Sequence, residues 1–125
     1  MTTKEDIVRE LSTAWFAKNK EPFRKYLHES FQYKDPLFEV NGKENSIASM
    51  DDCPFEGKVE NVELVAQGDR VVNIFDWVVT APFQATIPCV EILTFEGDKV
   101  KSSRSYYDTA LYPAEFVEEM KQQAA

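Results

Sequence analysis

Two carboxylates stand in apolar rows of predicted strands, where an acidic side chain is unusual. Glu91 shares one strand face with Leu93 and Phe95, because successive side chains point to opposite faces. An unpaired charge in such a row is costly, so the carboxyl group becomes neutral or finds a partner. Perturbed carboxyl groups of this kind cluster at functional sites. The pattern makes Glu91 a candidate acid, and a position at a sheet edge or an interface is the alternative.

Asp35 has the same signature. It ends an alternating run in which Phe31 and Tyr33 share its face, and Pro36 stops the run. A carboxylate in this place is a candidate general base. The alternative is purely structural, because Asp-Pro is a frequent turn initiator.

Other polar and aromatic residues can complete a site around these two carboxylates. Asp76 interrupts an apolar strand and faces away from Phe75 and Trp77, and the sequence leaves open which face points inward. Ser105 and Tyr107 share a face of the last strand and offer hydroxyl donors. The predicted ligand contacts are Trp15, Phe31, Tyr33, Phe75, Asp76, Trp77, Ser105 and Tyr107.

Composition limits the classes of partner. Residues 1–125 have the length of one domain, and a formal net charge of −8 disfavours nucleic acid and anionic membranes. There is one histidine, no Cys-x-x-Cys pair, no signal-peptide pattern and no apolar run long enough to span a membrane. We therefore expect a cytoplasmic protein with free thiols and no metal or cofactor. His28 is expected at a helix end.

The elements that must position these residues form an α+β arrangement. Apolar spacing predicts a first helix with a Thr2–Glu5 capping box, and a second helix begins near Pro22. Helices come first and an antiparallel meander follows, with a terminal helix after Pro113. The remaining predicted elements are a short helix over 44–50 and strands over 58–67, 71–81, 85–95 and 99–108.

In this order and spacing the chain resembles the SnoaL-like branch of the superfamily that includes ketosteroid isomerase, limonene epoxide hydrolase and nuclear transport factor two. The most specific points are Phe31 to Pro36 followed by Asn41-Gly42, and Glu96 to Val100 leading into 104–108. The resemblance implies a cystatin-like, cone-shaped fold, in which a curved antiparallel sheet is covered by N-terminal helices and encloses a pocket.

The resemblance also implies roles for single positions. Asp35 falls where ketosteroid isomerase has its general base, and Glu91 where that enzyme keeps a protonated acid as an oxyanion donor. The isomerase's tyrosine on the first helix falls near Ser12, so Tyr33 or Tyr107 would have to replace it.

The catalytic set of limonene epoxide hydrolase is incomplete in this chain. Asp76 matches one aspartate of that set, but Ile74 and Ser105 replace the other two members. SnoaL-type cyclases also place an acid–base aspartate near Ser105, so neither activity transfers to this chain.

Three functions remain open at this point. The first is an isomerase, cyclase or lyase in which Asp35 is the base and Glu91 the acid toward a small, apolar, carbonyl-containing compound. The second is a domain that binds a small ligand without chemistry, or that serves association. The third, which no sequence feature favours, is a protein-transport adaptor. A homodimer is expected with either of the first two, because strand 71–79 has apolar residues on both faces.

Overall fold

The computed structural model describes residues 2–124, and the side chains of residues 2–122. Three helices and two strands precede a four-stranded meander, and a short 3-10 turn leads to the last helix. The elements are α1 Lys4–Ala17, α2 Glu21–Tyr26, β1 Leu27–Lys34, β2 Glu39–Asn41, α3 Lys43–Asp52, β3 Glu56–Gln67, β4 Arg70–Ala81, β5 Ala85–Glu96, β6 Lys99–Tyr106, the 3-10 turn Thr109–Leu111 and α4 Ala114–Ala124.

One sheet contains all six strands in the order β2-β1-β6-β5-β4-β3. Four of the pairings are antiparallel, and β1 pairs with β6 in parallel. Lys34 at the end of β1 stands opposite Arg104 in β6, so both strands end at the same edge. Asp35 and Tyr107, which follow these ends, are therefore brought side by side.

Bulges curve the sheet. In β3 the register shifts between Glu60 and Glu63, and Asn61 adopts a positive φ of 55°. The register shifts again beside Gly57, and once more between β5 and β6 next to Phe95. An extra residue on one strand bends it and increases its twist. The α+β class and the curved sheet predicted from the sequence are confirmed.

The two faces of the sheet differ. Asn73, Phe75 and Trp77 lie on the inner face of β4, which decides the orientation that the sequence left open, while Ile74 is exposed on the outer face. One inner cluster packs beneath α1 and includes Ile7, Val8, Leu11, Phe31, Val71, Leu93 and Phe95. A second, more aromatic cluster includes Phe55, Ile87, Cys89, Tyr112 and Phe116.

Several local predictions need correction. Thr3, one residue later than expected, caps α1 and exchanges hydrogen bonds with Asp6. His28 lies in β1 and not at a helix end, because α2 stops at Tyr26 and the chain becomes extended at once. The last strand ends at Tyr106, two residues early. Within residues 2–124, no helix has the length and apolar character to cross a membrane.

Candidate functional site

Asp35 lies just beyond β1, and its carboxylate accepts four hydrogen bonds. Oδ1 accepts from the backbone N–H groups of Leu37 and Phe38, each at 2.8 Å, because the chain turns around the side chain after Pro36. Tyr33 donates its hydroxyl to Oδ2 at 2.6 Å, and Tyr107 donates to Oδ1 at 2.9 Å. The turn predicted at Asp-Pro and the polar site are thus the same feature.

Both tyrosines are held as neutral donors. Burial raises the pKa of Tyr33 well above its ordinary value, and the charge of Asp35 raises it further. Burial is also the main cause that raises the pKa of Tyr107, followed by the charge of Asp35. A phenolate beside the Asp35 carboxylate would repel it, so each hydroxyl keeps its proton and points it at Asp35.

Glu91 has a different environment. As a whole residue it is partly exposed, but its carboxyl group lies against the buried side chains of Ser103 and Asn73. Ser103 donates to Oε2 at 2.6 Å, and Asn73 Nδ2 approaches Oε1 at 3.5 Å. Burial raises the pKa of Glu91 above its ordinary value, and the hydrogen bonds from Ser103 and Asn73 oppose that rise. The shift widens the pH range over which the neutral carboxylic acid is present, compared with an exposed glutamate.

Glu91 belongs to a series of hydrogen-bonded polar side chains that the sequence did not predict as a group. Its members are Ser12, Asn73, Glu91 and Ser103. Asn73 is 0% exposed, and its Nδ2 donates to Ser12 Oγ at 3.2 Å as well as approaching Glu91. Its Oδ1 is buried and has no hydrogen-bond partner among the described residues. The sequence contained one signal for Asn73: its amide shares a strand face with Phe75 and Trp77.

Tyr33 donates to Asp35, and Ser105, which is buried, stands opposite Glu91 in the pairing of β5 with β6. Burial is the main cause that raises the pKa of Tyr33, followed by the charge of Asp35. The structure thus brings together five of the predicted residues: Asp35, Tyr33, Tyr107, Ser105 and Glu91.

An aromatic cluster borders the Asp35 side of this site. Tyr107 packs against Tyr112 with ring centroids 5.4 Å apart, and Tyr112 stacks on Phe116 of α4 at 5.7 Å. Phe75 and Trp77, both predicted as ligand contacts, belong to the same cluster. Burial also raises the pKa of the neighbouring Cys89 thiol to about 12, so this thiol is not a nucleophile at neutral pH.

Three predicted contacts lie elsewhere. Asp76 is on the outer face, where Asn61 Nδ2 donates to its Oδ2 at 2.8 Å. Trp15 packs edge-on against Phe23 with centroids 6.1 Å apart. Phe31 is buried in the cluster beneath α1. Parity along a strand predicts which residues share a face, but not which of the two faces is inside.

The arrangement offers two carboxyl groups with different surroundings: Asp35, which accepts four hydrogen bonds, and Glu91, whose pKa is raised by burial. Across the described residues, no three His, Cys, Asp or Glu side chains are grouped as metal ligands.

Comparison with known proteins agrees with the fold. Residues 8–103 match the family model of the SnoaL-like domain. A nuclear transport factor 2-like protein of unknown function from Burkholderia pseudomallei is 20% identical, with a TM-score of 0.76 and coverage of 94% of this chain and 97% of that one. No curated protein matches the chain.

Two further solved structures are named for an activity. A proposed ketosteroid isomerase from Kribbella flavida is 15% identical, with a TM-score of 0.74 and coverage of 88% of this chain and 81% of that one. A limonene epoxide hydrolase-like enzyme from M. tuberculosis is 12% identical, with a TM-score of 0.74 and coverage of 86% and 84%. At these identities the likeness concerns the fold alone. Because the family model covers most of its length, the chain belongs to the SnoaL-like domain family.

Proposed function

We propose that the inner face of the sheet binds a small, mostly apolar, carbonyl-containing molecule and catalyses an acid–base reaction on it. Asp35 would remove a proton from the carbon beside the carbonyl, and the bonding electrons would move onto the carbonyl oxygen. Glu91, as a neutral acid, would donate a hydrogen bond to that oxygen. Return of the proton to another carbon completes an isomerisation, and loss of a leaving group instead gives a lyase.

The observation that carries this proposal is the contrast between the two carboxyl groups. Asp35 receives four donors at the end of β1, whereas burial raises the pKa of Glu91. Two acidic groups whose environments differ in this way can divide the work of base and acid. The Tyr33 hydroxyl, which donates to Asp35, would have to turn toward the substrate to serve as a second donor to an oxyanion, in place of a tyrosine on α1.

The aromatic rings beside Asp35 suit an apolar substrate. Tyr112 and Phe116 stack on each other at the side of the site that faces α4. The proposed ligand would enter the site by displacing these two rings. Aromatic walls bury large apolar areas of a ligand, while a few polar groups fix its orientation.

Hydrogen–deuterium exchange at the carbon beside the carbonyl tests the chemistry directly. Cyclic ketones with a neighbouring double bond would be incubated with the protein in D₂O and followed by NMR. Asp35→Asn is expected to lower the exchange rate by about 10²-fold or more, because a positioned base contributes that much. The exposed turn variant Asp98→Asn is the matched control and should keep the rate. Exchange that survives in Asp35→Asn would reject the proton-transfer role.

The same variants decide between catalysis and plain binding. A ketone that binds the wild-type protein but exchanges no faster than in buffer would favour the non-catalytic alternative. The serine at position 12, which provides no phenolic donor on α1, is the observation that keeps this second function open.

We also propose that the outer face of the sheet is covered by a second copy of the chain. Large apolar side chains are exposed there on four neighbouring strands: Val65 at 57%, Ile74 at 38%, Val90 at 36% and Tyr106 at 51%. Such a row of exposed apolar side chains on one face is typical of a protein–protein interface.

A further inference from the structure

Opposite charges border the exposed apolar side chains on the outer face of the sheet. Paired residues of neighbouring strands direct their side chains to the same face, so the strand pairing gives the layout of that face. A first line of side chains crosses the face from β3 to β1 and consists of Val65, Val72, Ile92, Arg104 and Lys34. The adjacent line, two residues along each strand, consists of Glu63, Ile74, Val90 and Tyr106. The first line thus ends in two bases, and the second begins with an acid.

Four aliphatic side chains lie at the centre of this layout, on the neighbouring strands β4 and β5. We call them the aliphatic block, and its members are Val72, Ile74, Val90 and Ile92. Arg104 borders the block on β6 and Glu63 borders it on β3, and both side chains are exposed. The two charges therefore stand on opposite sides of the block, in different lines.

Arg104 lacks a carboxylate partner on its own copy. It forms no ion pair with any residue of the described range 2–122. Its paired neighbour on β1 is Lys34, and like charges that stand side by side on paired strands are destabilising. Glu39 stands on the far side of Lys34, and no ion pair joins these two residues. A carboxylate supplied by another molecule would relieve the repulsion.

Glu63 is the matching acid. The two other acids near it on the outer face have partners, because Lys58 Nζ lies 2.7 Å from Glu60 Oε1 and Asn61 Nδ2 donates to Asp76 at 2.8 Å. Glu63 forms no ion pair with any side chain that the structure describes. A free carboxylate and a free guanidinium thus remain on opposite sides of the aliphatic block.

One twofold arrangement satisfies both charges at once. Two identical faces that pack on each other are related by a twofold axis in the plane between them. When this axis is parallel to the strands and runs between β4 and β5, β4 of one copy covers β5 of the other, and β3 covers β6. The aliphatic block then covers its counterpart, and Glu63 stands beside the partner's Arg104, twice in each dimer.

An axis that runs across the strands gives a different result. It would lay β3 on β3 and place Glu63 over the partner's Val65, three strands away from the partner's Arg104. The aliphatic contacts would be similar in both arrangements. The charges therefore distinguish the two, because electrostatic complementarity fixes the register of an interface.

We propose that two copies pack outer face on outer face, with β3 of each over β6 of the other, and that Glu63 pairs with the partner's Arg104. This inference rests on the dimer proposed above and adds the arrangement of its strands. Packed sheets lie about 10 Å apart, a distance that an arginine and a glutamate side chain can bridge together at the border of the aliphatic block.

Charge reversal in two separate chains tests this arrangement. Arg104→Glu and Glu63→Arg should each raise the dissociation constant of the dimer at least about tenfold at low salt, because two like-charge contacts replace two ion pairs. An equimolar mixture of the two single variants should recover most of the affinity, since both contacts of the heterodimer again join opposite charges. Sedimentation velocity measures these constants. Lys121→Glu reverses an exposed charge on α4 and is the control that should change nothing.

The double variant Glu63→Arg, Arg104→Glu exchanges the two charges within one chain. It should dimerise like the wild type, which would show that neither substitution harms the fold. Single variants with the wild-type dissociation constant would overturn the arrangement. So would a mixture that associates no more tightly than each variant alone, because positions 63 and 104 would then not face each other. A wild-type monomer rejects the dimer itself, whereas a wild-type dimer that is insensitive to both reversals rejects only this arrangement.

Discussion

At the scale of single residues, the two carboxyl groups differ because their donors differ. Asp35 has two backbone N–H groups and two tyrosine hydroxyls around it, so each of its oxygens is an acceptor. Glu91 accepts one short hydrogen bond from Ser103 and a longer one from Asn73, and burial raises its pKa. Under the proposed function, these differences in partners and burial, more than the residue type, suit Asp35 to the task of base and Glu91 to that of acid.

The raised pKa of Glu91 predicts a pH-dependent stability. Between the pKa of the unfolded chain and the raised pKa of the folded one, the folded state binds more protons, so the free energy of unfolding falls as pH increases. Glu91→Gln should remove this decline and be more stable than wild type at the alkaline end of that window. Urea unfolding of both proteins between about pH 4 and pH 8 measures it.

Ser103→Ala is the companion variant. It should deepen the decline with pH and lower stability most at the alkaline end, by about 1 kcal/mol or more, because the hydrogen bond that it removes favours the ionised Glu91 carboxylate. Parallel curves for wild type and Glu91→Gln would mean that the Glu91 carboxyl group is solvated in the folded protein.

The sequence predicted those site residues that share a strand face with aromatic or apolar residues two positions away. Asp35, Tyr33 and Glu91 were identified in this way, because the backbone alone decides which residues of a strand share a face. Asn73 was missed because an amide in a strand has the same pattern whether it points to water or to the core. Asp76 was placed among the ligand contacts although it lies on the outer face, since the inward face depends on packing with α1.

At the scale of elements, β3 is shaped by two backbone positions. Asn61 carries the bulge and secures it with a hydrogen bond to Asp76 across the pair of strands. Gly57 permits the closest approach of β3 to β4. Neither was predicted from the sequence, because a bulge and a close approach both depend on the pairing of β3 with β4.

Gly57→Ala should therefore destabilise the protein. The new Cβ would lie 1.9 Å from backbone atoms that cannot rotate away, so β3 and β4 must separate. Overpacking of this kind costs about 1–3 kcal/mol, which chemical unfolding would detect. Gly68→Asn, in an open turn at φ 58°, is the control and should cost much less, because asparagine tolerates that conformation. An equal loss in both variants would contradict the role of close approach.

At the scale of the whole molecule, the two faces of the sheet carry different kinds of residue. The inner face carries the polar site and both core clusters, and the outer face carries an apolar row beside charged residues. The order of elements and the sheet class were predictable, because helix and strand periods are local. The parallel pairing of β1 with β6 was not, because no local pattern shows which distant strand is the neighbour.

Ile74→Lys tests the proposed dimer. A lysine at this position of the outer face would carry a charge into the interface and interrupt the apolar row, so the dimer should dissociate at least about tenfold more readily. Sedimentation velocity over a range of concentrations gives the dissociation constant. Gln122→Lys on α4 adds the same charge elsewhere and should leave it unchanged. A wild-type protein that sediments as a monomer when concentrated would reject the interface.

The parallel pairing of β1 with β6 also affects the order in which the molecule folds. Glu91 meets Ser103 and Asn73 across hairpins, at separations of 12 and 18 residues, whereas Asp35 and Tyr107 are 72 residues apart. Contacts over short loops form at a lower entropic cost than contacts over long ones. The Glu91 half should therefore assemble with the meander, and the Asp35 half only when β1 docks. During synthesis on the ribosome, Asp35 emerges early but obtains its Tyr107 partner only after nearly all of these residues have been made.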